Sequence, residues 1–330
     1  MKDIFRINLQ LFAEMNTQTT LLNATGNNLS PEMKTFYDMT LIDEASAQLV
    51  HDQFGQKRPI PANGGKTIEF RKFSSLPKAL TPITEGVTPA GNKLNVSTIT
   101  ATVKQYGDYI VQSDVLELTS IDNTIVEATK ILGRQAGLTL DTVVREVLAS
   151  HADISAMYAG GTATSNTDLT DSDKLTVDDV KKAVAFLRAQ NAPTINGDYV
   201  AIIHPYAAYD LMSDPAWIEA HKYATPENLY AGEIGKIAGV RFVQTSEAKI
   251  ATGGVFYTTI LGEGAYGVTE ITGGGLQTIV KQKGSAGTGD PLDQRSSVGW
   301  KAMKTAEILC PNYMVVIHSK GEFSAKASAN

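Results

Sequence analysis

Two short glycine-containing strings come closest to a phosphate-binding or catalytic motif. Gly65-Lys66-Thr67 matches the end of a phosphate-binding loop, but Ile60 stands where that motif requires its first glycine. The residues that follow it alternate as in a strand, whereas the motif needs a helix there. Gly284-Ser285-Ala286-Gly287 is similar to a nucleophile elbow, but Lys283 replaces its leading glycine. Neither string therefore predicts a nucleotide site or a nucleophile.

The residue types that bind metals occur here without ligand spacing. Five histidines and one cysteine form no such pattern. Asp168, Asp171 and Asp173 resemble part of a calcium loop, but its turn glycine and terminal glutamate are missing, so we interpret them as a solvated acidic linker. His204, directly before Pro205, is interpreted as a structural histidine. The sequence predicts no catalytic residue, no metal and no cofactor.

The composition is that of an ordinary globular protein. With 42% hydrophobic residues among 330, chain-wide disorder is excluded. The formal charge of -6 excludes a chain-wide basic nucleic-acid binder. No apolar run approaches the roughly 20 residues of a membrane helix. The single Cys310 excludes an intramolecular disulfide and is interpreted as a small buried hydrophobe.

Basic residues concentrate in one segment. Residues 56–105 carry eight lysines and arginines against two glutamates, a net charge of +6, which leaves -12 for the rest of the chain. A solvated basic face is one interpretation. The other is a basic segment that lies on an acidic surface, such as that of a second copy of the chain.

The same segment has the pattern of a protruding hairpin. Lys66–Phe73 and Ser97–Tyr106 alternate apolar and polar residues as strands do. The connection between them holds three prolines and little apolar material. Connections of this length are uncommon within a compact domain and usually have a function.

Periodicity predicts helices on both sides of the hairpin. Residues 1–30 are interpreted as a polar arm and residues 33–54 as a helix. Residues 122–151 form the strongest helical pattern, and Gly133 and Gly137 within it indicate close backbone packing or a bend.

The second half of the sequence begins after a linker predicted at 159–174. Thr176 opens a helix with the pattern of a capping box, and residues 198–204 form a buried strand. After Gly262 the pattern is mostly β, and it ends with strands over 298–302 and 313–318.

The order of these elements resembles a known family. The predicted order along the chain is a polar arm, a helix, a basic hairpin, a long helix, an inserted α/β block and a return to β. Asn8-Leu9-Gln10-Leu11-Phe12-Ala13 is similar to the start of many head proteins from phages of Gram-positive hosts. Asp290-Pro291-Leu292-Asp293-Gln294-Arg295, followed by Val298-Gly299-Trp300-Lys301, resembles a string near the C-terminus of a large capsid family. The chain resembles the tailed-bacteriophage major capsid proteins of the Hong Kong 97 fold.

This resemblance implies an α+β fold of five segments. They are an N-terminal arm and helix at 1–55, an extended β-hairpin loop at 56–107, a peripheral domain with the long spine helix at 108–172, an axial domain at 173–262, and a return to the peripheral domain at 263–330.

The resemblance also implies a structural function. The chain would be a non-enzymatic major capsid subunit that self-assembles, as hexamers and pentamers, into an icosahedral shell around double-stranded DNA that it does not bind sequence-specifically. Expected partners are other copies, a portal, decoration proteins and a separate scaffolding protein or none, with no membrane. The expected location is the virion, and the host cytoplasm during assembly. The candidate subunit-contact residues are Lys66, Arg71, Lys72, Lys78, Lys93 and Trp300. Covalent crosslinking of a hairpin lysine is not predicted.

Two alternatives stay open at this stage. One is an encapsulin-like cage that loads cargo proteins, which neighbouring genes would distinguish from a phage head. The other is an enzyme whose site the sequence does not reveal, which would run as a small oligomer in size exclusion.

Overall fold

The computed structural model describes Leu41 and residues 44–45, 49–73, 76, 78–83, 85–86, 88, 91–119, 124–221, 234–285 and 290–330. The predicted arm at 1–30 lies outside these residues. Of the helix predicted at 33–54, Leu41, Glu44 and Ala45 are helical, whereas residues 51–54 form turns, so the helix ends before its predicted boundary.

The described residues form the following strands and helices. The strands are β1 Gln56–Lys57, β2 Thr67–Phe73, β3 Val96–Thr102, β4 Lys104–Ser113, β5 Ser155–Tyr158, β6 Tyr199–Ile203, β7 Lys236–Ile237, β8 Val240–Gln244, β9 Ile250–Ala251, β10 Val255–Leu261, β11 Tyr266–Thr269, β12 Gln277–Lys281, β13 Arg295–Ile308 and β14 Met314–Ser319. The helices are α1 Asp114–Thr119, α2 Thr124–Ser150, α3 Val177–Ala189, α4 Pro205–Met212 and α5 Pro215–His221.

A five-stranded sheet is built around β13. This strand pairs antiparallel with β4 along ten residues, with β12 over 297–301 and with β11 over 305–308, while β1 joins β11 in parallel. One face of the sheet packs against α2, where Leu132, Ala136 and Leu140 form a core with Val298 and Trp300. The pattern at 122–151 thus correctly predicts the long helix.

Gly133 of α2 packs against the N-terminal helical residues, as the sequence predicts. A Cβ on Gly133 would lie 2.9 Å from the Leu41 carbonyl oxygen and 3.0 Å from Cβ of Glu44. The absence of a side chain therefore permits this backbone approach.

A second sheet has seven strands in the order β5-β14-β10-β6-β8-β7, with β9 on β10. The stripe of α3, including Val180 and Leu187, is buried in its core. The predicted capping box is present, because the Thr176 side chain accepts a hydrogen bond from Asp179 N and the Asp179 carboxylate accepts one from Thr176 N. This local sequence signal therefore fixes the start of α3.

The last strand belongs to the second sheet. β14 lies inside the seven-stranded sheet, where it pairs with β10 and β5, and the division of the chain into peripheral and axial domains stays a prediction. The chain crosses from one sheet to the other in the short 3-10 turn Pro311–Tyr313.

The segment 159–174 is also more ordered than a free linker. Leu169 is buried, and the Asn166 side chain donates to the Tyr257 hydroxyl at 2.8 Å and contacts Nδ1 of His318 at 2.5 Å. The segment is therefore held against the seven-stranded sheet at β10 and β14. A composition rich in small polar residues did not reveal these contacts.

Candidate assembly surfaces

Contacts among the described residues anchor the base of the basic hairpin to the body. β2 and β3 pair antiparallel from Thr67–Thr102 to Phe73–Val96. Phe70 is buried, and its ring lies 3.0 Å from where a Cβ of Gly267 on β11 would be. Val103 N donates to the Lys66 carbonyl at 2.9 Å. These contacts fix the start of the hairpin, and the described residues of its outer part, from 76 to 96, are exposed.

The outer hairpin exposes large apolar side chains. They are Leu76, Leu80, Ile83, Leu94 and Val96, and Leu80 reaches 81% exposure. Counting charges in the sequence missed them. We interpret this concentration of exposed apolar side chains as a surface that another protein covers.

Five of the six predicted contact residues lie on this hairpin. Lys66, Arg71, Lys72, Lys78 and Lys93 are all exposed. Trp300 is not on a surface, because it is 3% exposed and its Nε1 donates to Oε1 of Gln135 on α2 at 3.3 Å. The prediction of a subunit contact is wrong for Trp300, because its side chain is buried in the core between β13 and α2.

A small basic cleft of about 170 Å³ lies between the hairpin base and the body. Arg58, Arg71 and Lys72 line it together with Phe70 and the half-buried Cys310. Cys310, which the sequence predicts to be a small buried hydrophobe, is therefore only partly buried.

The outer face of the five-stranded sheet carries a groove. Pairing of β4, β13 and β12 places side chains in three rows, which are Gly107–Lys301–Gln277, Tyr109–Gly299–Ile279 and Val111–Ser297–Lys281. Tyr109 is 68% exposed, and Val111 and Ile279 are also exposed. We call this surface, with its cavity of about 330 Å³, the sheet groove.

Glycines form the floor of the sheet groove. A Cβ on Gly299 would lie 2.7 Å from Cβ of Tyr109, and one on Gly107 would lie 2.6 Å from the Trp300 carbonyl oxygen. The strands therefore pack too closely for side chains at these two positions. The floor is bare backbone between the apolar side chains of Tyr109 and Ile279.

The end of the same sheet carries an acidic surface. We call α1 together with residues 290–294 the acidic tip, because these residues include four carboxylates and no basic side chain. The two parts are joined by a hydrogen bond from Asp114 N to the Gln294 carbonyl at 2.9 Å. Leu118 and Leu292 are 79% and 75% exposed. The acidic tip is therefore apolar as well as negative.

A buried polar cluster fastens residues 50–52 to the body. Asp141 on α2 accepts hydrogen bonds from Val50 N, His51 N and His51 Nδ1 at 2.7–2.9 Å. The Tyr266 hydroxyl donates to the His51 carbonyl, and Lys304 lies 2.9 Å from Asp52. Burial raises the pKa of Tyr266 and keeps its hydroxyl a donor.

The polar residues considered in the sequence have structural roles. Nδ1 of His204 accepts a hydrogen bond from Tyr206 N at the start of α4, and burial lowers the pKa of His204. Asp168 and Asp173 accept hydrogen bonds from the residues of their own turns, which lowers the pKa of both carboxyls. Among the described residues, no group of three His, Cys, Asp or Glu side chains could hold a metal ion, and no helix could cross a membrane.

Residues 96–317 match the protein family described as phage capsid protein. This match spans more than half of the chain. The chain belongs to the phage capsid protein family. No curated relative matches the sequence significantly.

Solved structures agree on the fold of this capsid protein. The capsid of cyanophage Pam1 is similar at 14% identity and a TM-score of 0.65, over 84% of this chain and 93% of that one. The capsid of cyanophage P-SCSP1u is similar at 15% identity and a TM-score of 0.64, over 83% of this chain and 89% of that one. A virus-like particle from Pyrococcus furiosus is similar at 13% identity and a TM-score of 0.53, over 87% of this chain and 99% of that one.

The capsid protein therefore has the predicted Hong Kong 97-type fold. It is a structural, non-enzymatic protein, the major capsid subunit of the phage head shell, and its place is the virion capsid. As a member of the phage capsid protein family, it is a subunit of a self-assembling shell.

Proposed function

We propose that each capsid protein lays the outer part of its β2–β3 hairpin on a neighbouring copy, and that this contact closes the shell. The observation that carries the proposal is the exposure of Leu80, Ile83 and Leu94 in the connection between the paired strands β2 and β3. The exposed lysines Lys78 and Lys93 lie in the same connection.

Apolar and charged contributions are expected to act together. Burying a leucine or isoleucine side chain contributes about 1.5–3 kcal/mol, whereas an exposed ion pair contributes about 0.2–1 kcal/mol. The apolar side chains therefore supply most of the free energy, and the net charge of +6 orients the hairpin on the acidic remainder of another copy. Repetition over a closed lattice turns weak contacts into a stable shell.

The wider assembly is also part of the proposal. Hexamers and pentamers of this subunit would enclose double-stranded DNA without sequence-specific contacts, because the chain is acidic overall and an interior that gripped phosphates would hinder packaging and release. A portal, a separate scaffolding protein and decoration proteins are the proposed partners, and assembly takes place in the host cytoplasm.

Shortening the hairpin tests the contact. Replacing residues 74–95 by Asn-Gly leaves the Phe73–Val96 pair closed by a two-residue turn, so β2 and β3 keep their register. We expect a folded subunit by circular dichroism that forms no closed shells by electron microscopy. The K181E variant, on the exposed surface of α3, is the matched control and should assemble. Closed shells from the shortened variant would overturn the proposal.

A further inference from the structure

We infer that the sheet groove of one copy binds the acidic tip of a second copy, as a subunit contact separate from the hairpin. The inference deepens the proposed function and rests on it, since it names a second contact in the same shell.

Charge complementarity identifies the occupant of the sheet groove. Lys281 and Lys301 lie in the two outer rows, about 13 Å apart from four residues of strand rise. Both are exposed, and neither has an ion-pair partner among the described residues. The basic hairpin would be repelled here, whereas the acidic tip, on which Asp293 is exposed and Asp114 is half-buried, carries the opposite charge.

Apolar complementarity supports the same occupant. The central row offers Tyr109 and Ile279 on either side of a bare Gly299 backbone, which leaves room for an inserted aliphatic side chain. Leu118 of the acidic tip projects with 79% exposure. Burying a leucine against this floor would remove two exposed apolar surfaces from water at once.

The contact joins different copies. The acidic tip continues directly from β4 and β13 of the same sheet, and in the structure its leucines remain exposed instead of covering the sheet groove. A contact between two different patches is head-to-tail, so its repetition closes a ring or extends a lattice.

Crosslinking between copies tests the contact directly. Shells are formed from a C310S chain that also carries Y109C and L118C, and are treated with a short bis-maleimide reagent. We expect a ladder of covalent oligomers on denaturing gels. The Y109C and L118C single variants are the controls and should remain monomeric. Well-formed shells of the double variant that give no ladder would overturn the inference while leaving the hairpin proposal intact.

Charge exchange provides a second test that does not depend on crosslinking. K281E/K301E should raise the concentration at which light scattering begins by about tenfold, which corresponds to about 1.4 kcal/mol. E117K/T119K should do the same, and the combined variant should recover most of the loss. K181E/R241E, on exposed positions of α3 and β8, is the matched control. Failure of the combined variant to recover, with normal circular dichroism, would contradict the contact.

Discussion

Asp141 shows at the residue scale how a buried charge holds the N-terminal part of the chain. Its carboxylate has no exposed surface and accepts hydrogen bonds from two backbone N–H groups and from the His51 ring. Removing the acceptor strands all three donors in the interior. We expect D141A to lower the free energy of unfolding of the unassembled subunit by about 3–5 kcal/mol. Urea denaturation measures it.

The control for D141A is D153A. Asp153 is exposed, so its replacement should change the free energy of unfolding by less than about 0.5 kcal/mol. Equal stability of D141A and D153A would show that the cluster does not fasten residues 50–52.

The free energy of unfolding of the subunit is expected to depend on pH through His318. Burial lowers the pKa of His318 to about 4, whereas an unfolded histidine titrates near pH 6.5. The unfolded chain therefore takes up the proton first, and stability present above pH 6.5 is lost as the pH falls toward 4. At about 1.4 kcal/mol per pKa unit, we expect a loss of about 2–3 kcal/mol.

The H318Q variant tests this assignment. Glutamine does not titrate, so the free energy of unfolding of H318Q should fall less than that of the wild type between pH 6.5 and pH 4. Identical slopes in the two proteins would refute the role of His318.

At the element scale, the outer hairpin and the segment 159–174 differ in exposure. We expect a protease to cut the more exposed of the two first. The outer hairpin is exposed, whereas the segment 159–174 is tied down through Asn166. We expect proteinase K to cut the unassembled subunit first within residues 76–94, as mass spectrometry of the fragments would reveal. A first cut within 159–174 would mean that the segment behaves as the free linker its composition predicts. Assembled shells should resist the hairpin cut.

Elements with local signals were predictable from the sequence. The long α2 has a hydrophobic period over many turns, and α3 begins with a capping box, so both follow from neighbouring residues. The hairpin strands follow from alternation. Its charge was predictable too, but its exposed leucines were not, because the same residue type also fills cores.

The sheet groove could not have been predicted in this way. Its rows exist only because β4 and β12 pair with β13 in one register, and β4 lies nearly two hundred residues earlier in the chain. Trp300 and Tyr109 are both aromatic residues in strands of this sheet, yet one faces α2 and the other faces outward. That difference depends on register, which a single sequence does not define.

At the scale of the whole molecule, the salt dependence of shell assembly tests whether charge pairs between copies contribute to it. Raising NaCl from 0.1 to 1 M shortens the Debye length from about 10 to about 3 Å, so exposed charge pairs lose most of their attraction. We expect the concentration at which scattering begins to rise with salt. K72E/K78E/K93E should assemble poorly even at 0.1 M NaCl.

A separate variant tests the apolar part of the hairpin contact. L80S/I83S should raise the assembly concentration at both salt levels and keep the salt dependence, because it leaves the lysines unchanged. If wild-type assembly instead strengthens steadily with salt, apolar contacts alone hold the lattice and the charge asymmetry has no role in it.

The position of β4 has a consequence for the fate of free subunits. This ten-residue strand pairs only with β13 among the described residues, so its other edge offers backbone donors and acceptors to any extended peptide. Such edges nucleate aggregation, and charged residues such as Lys104 and Asp108 weaken that tendency. When this protein is produced in quantity, shell assembly therefore competes with aggregation of the free subunits. Rapid burial of the surfaces next to β4 in a shell favours assembly over aggregation.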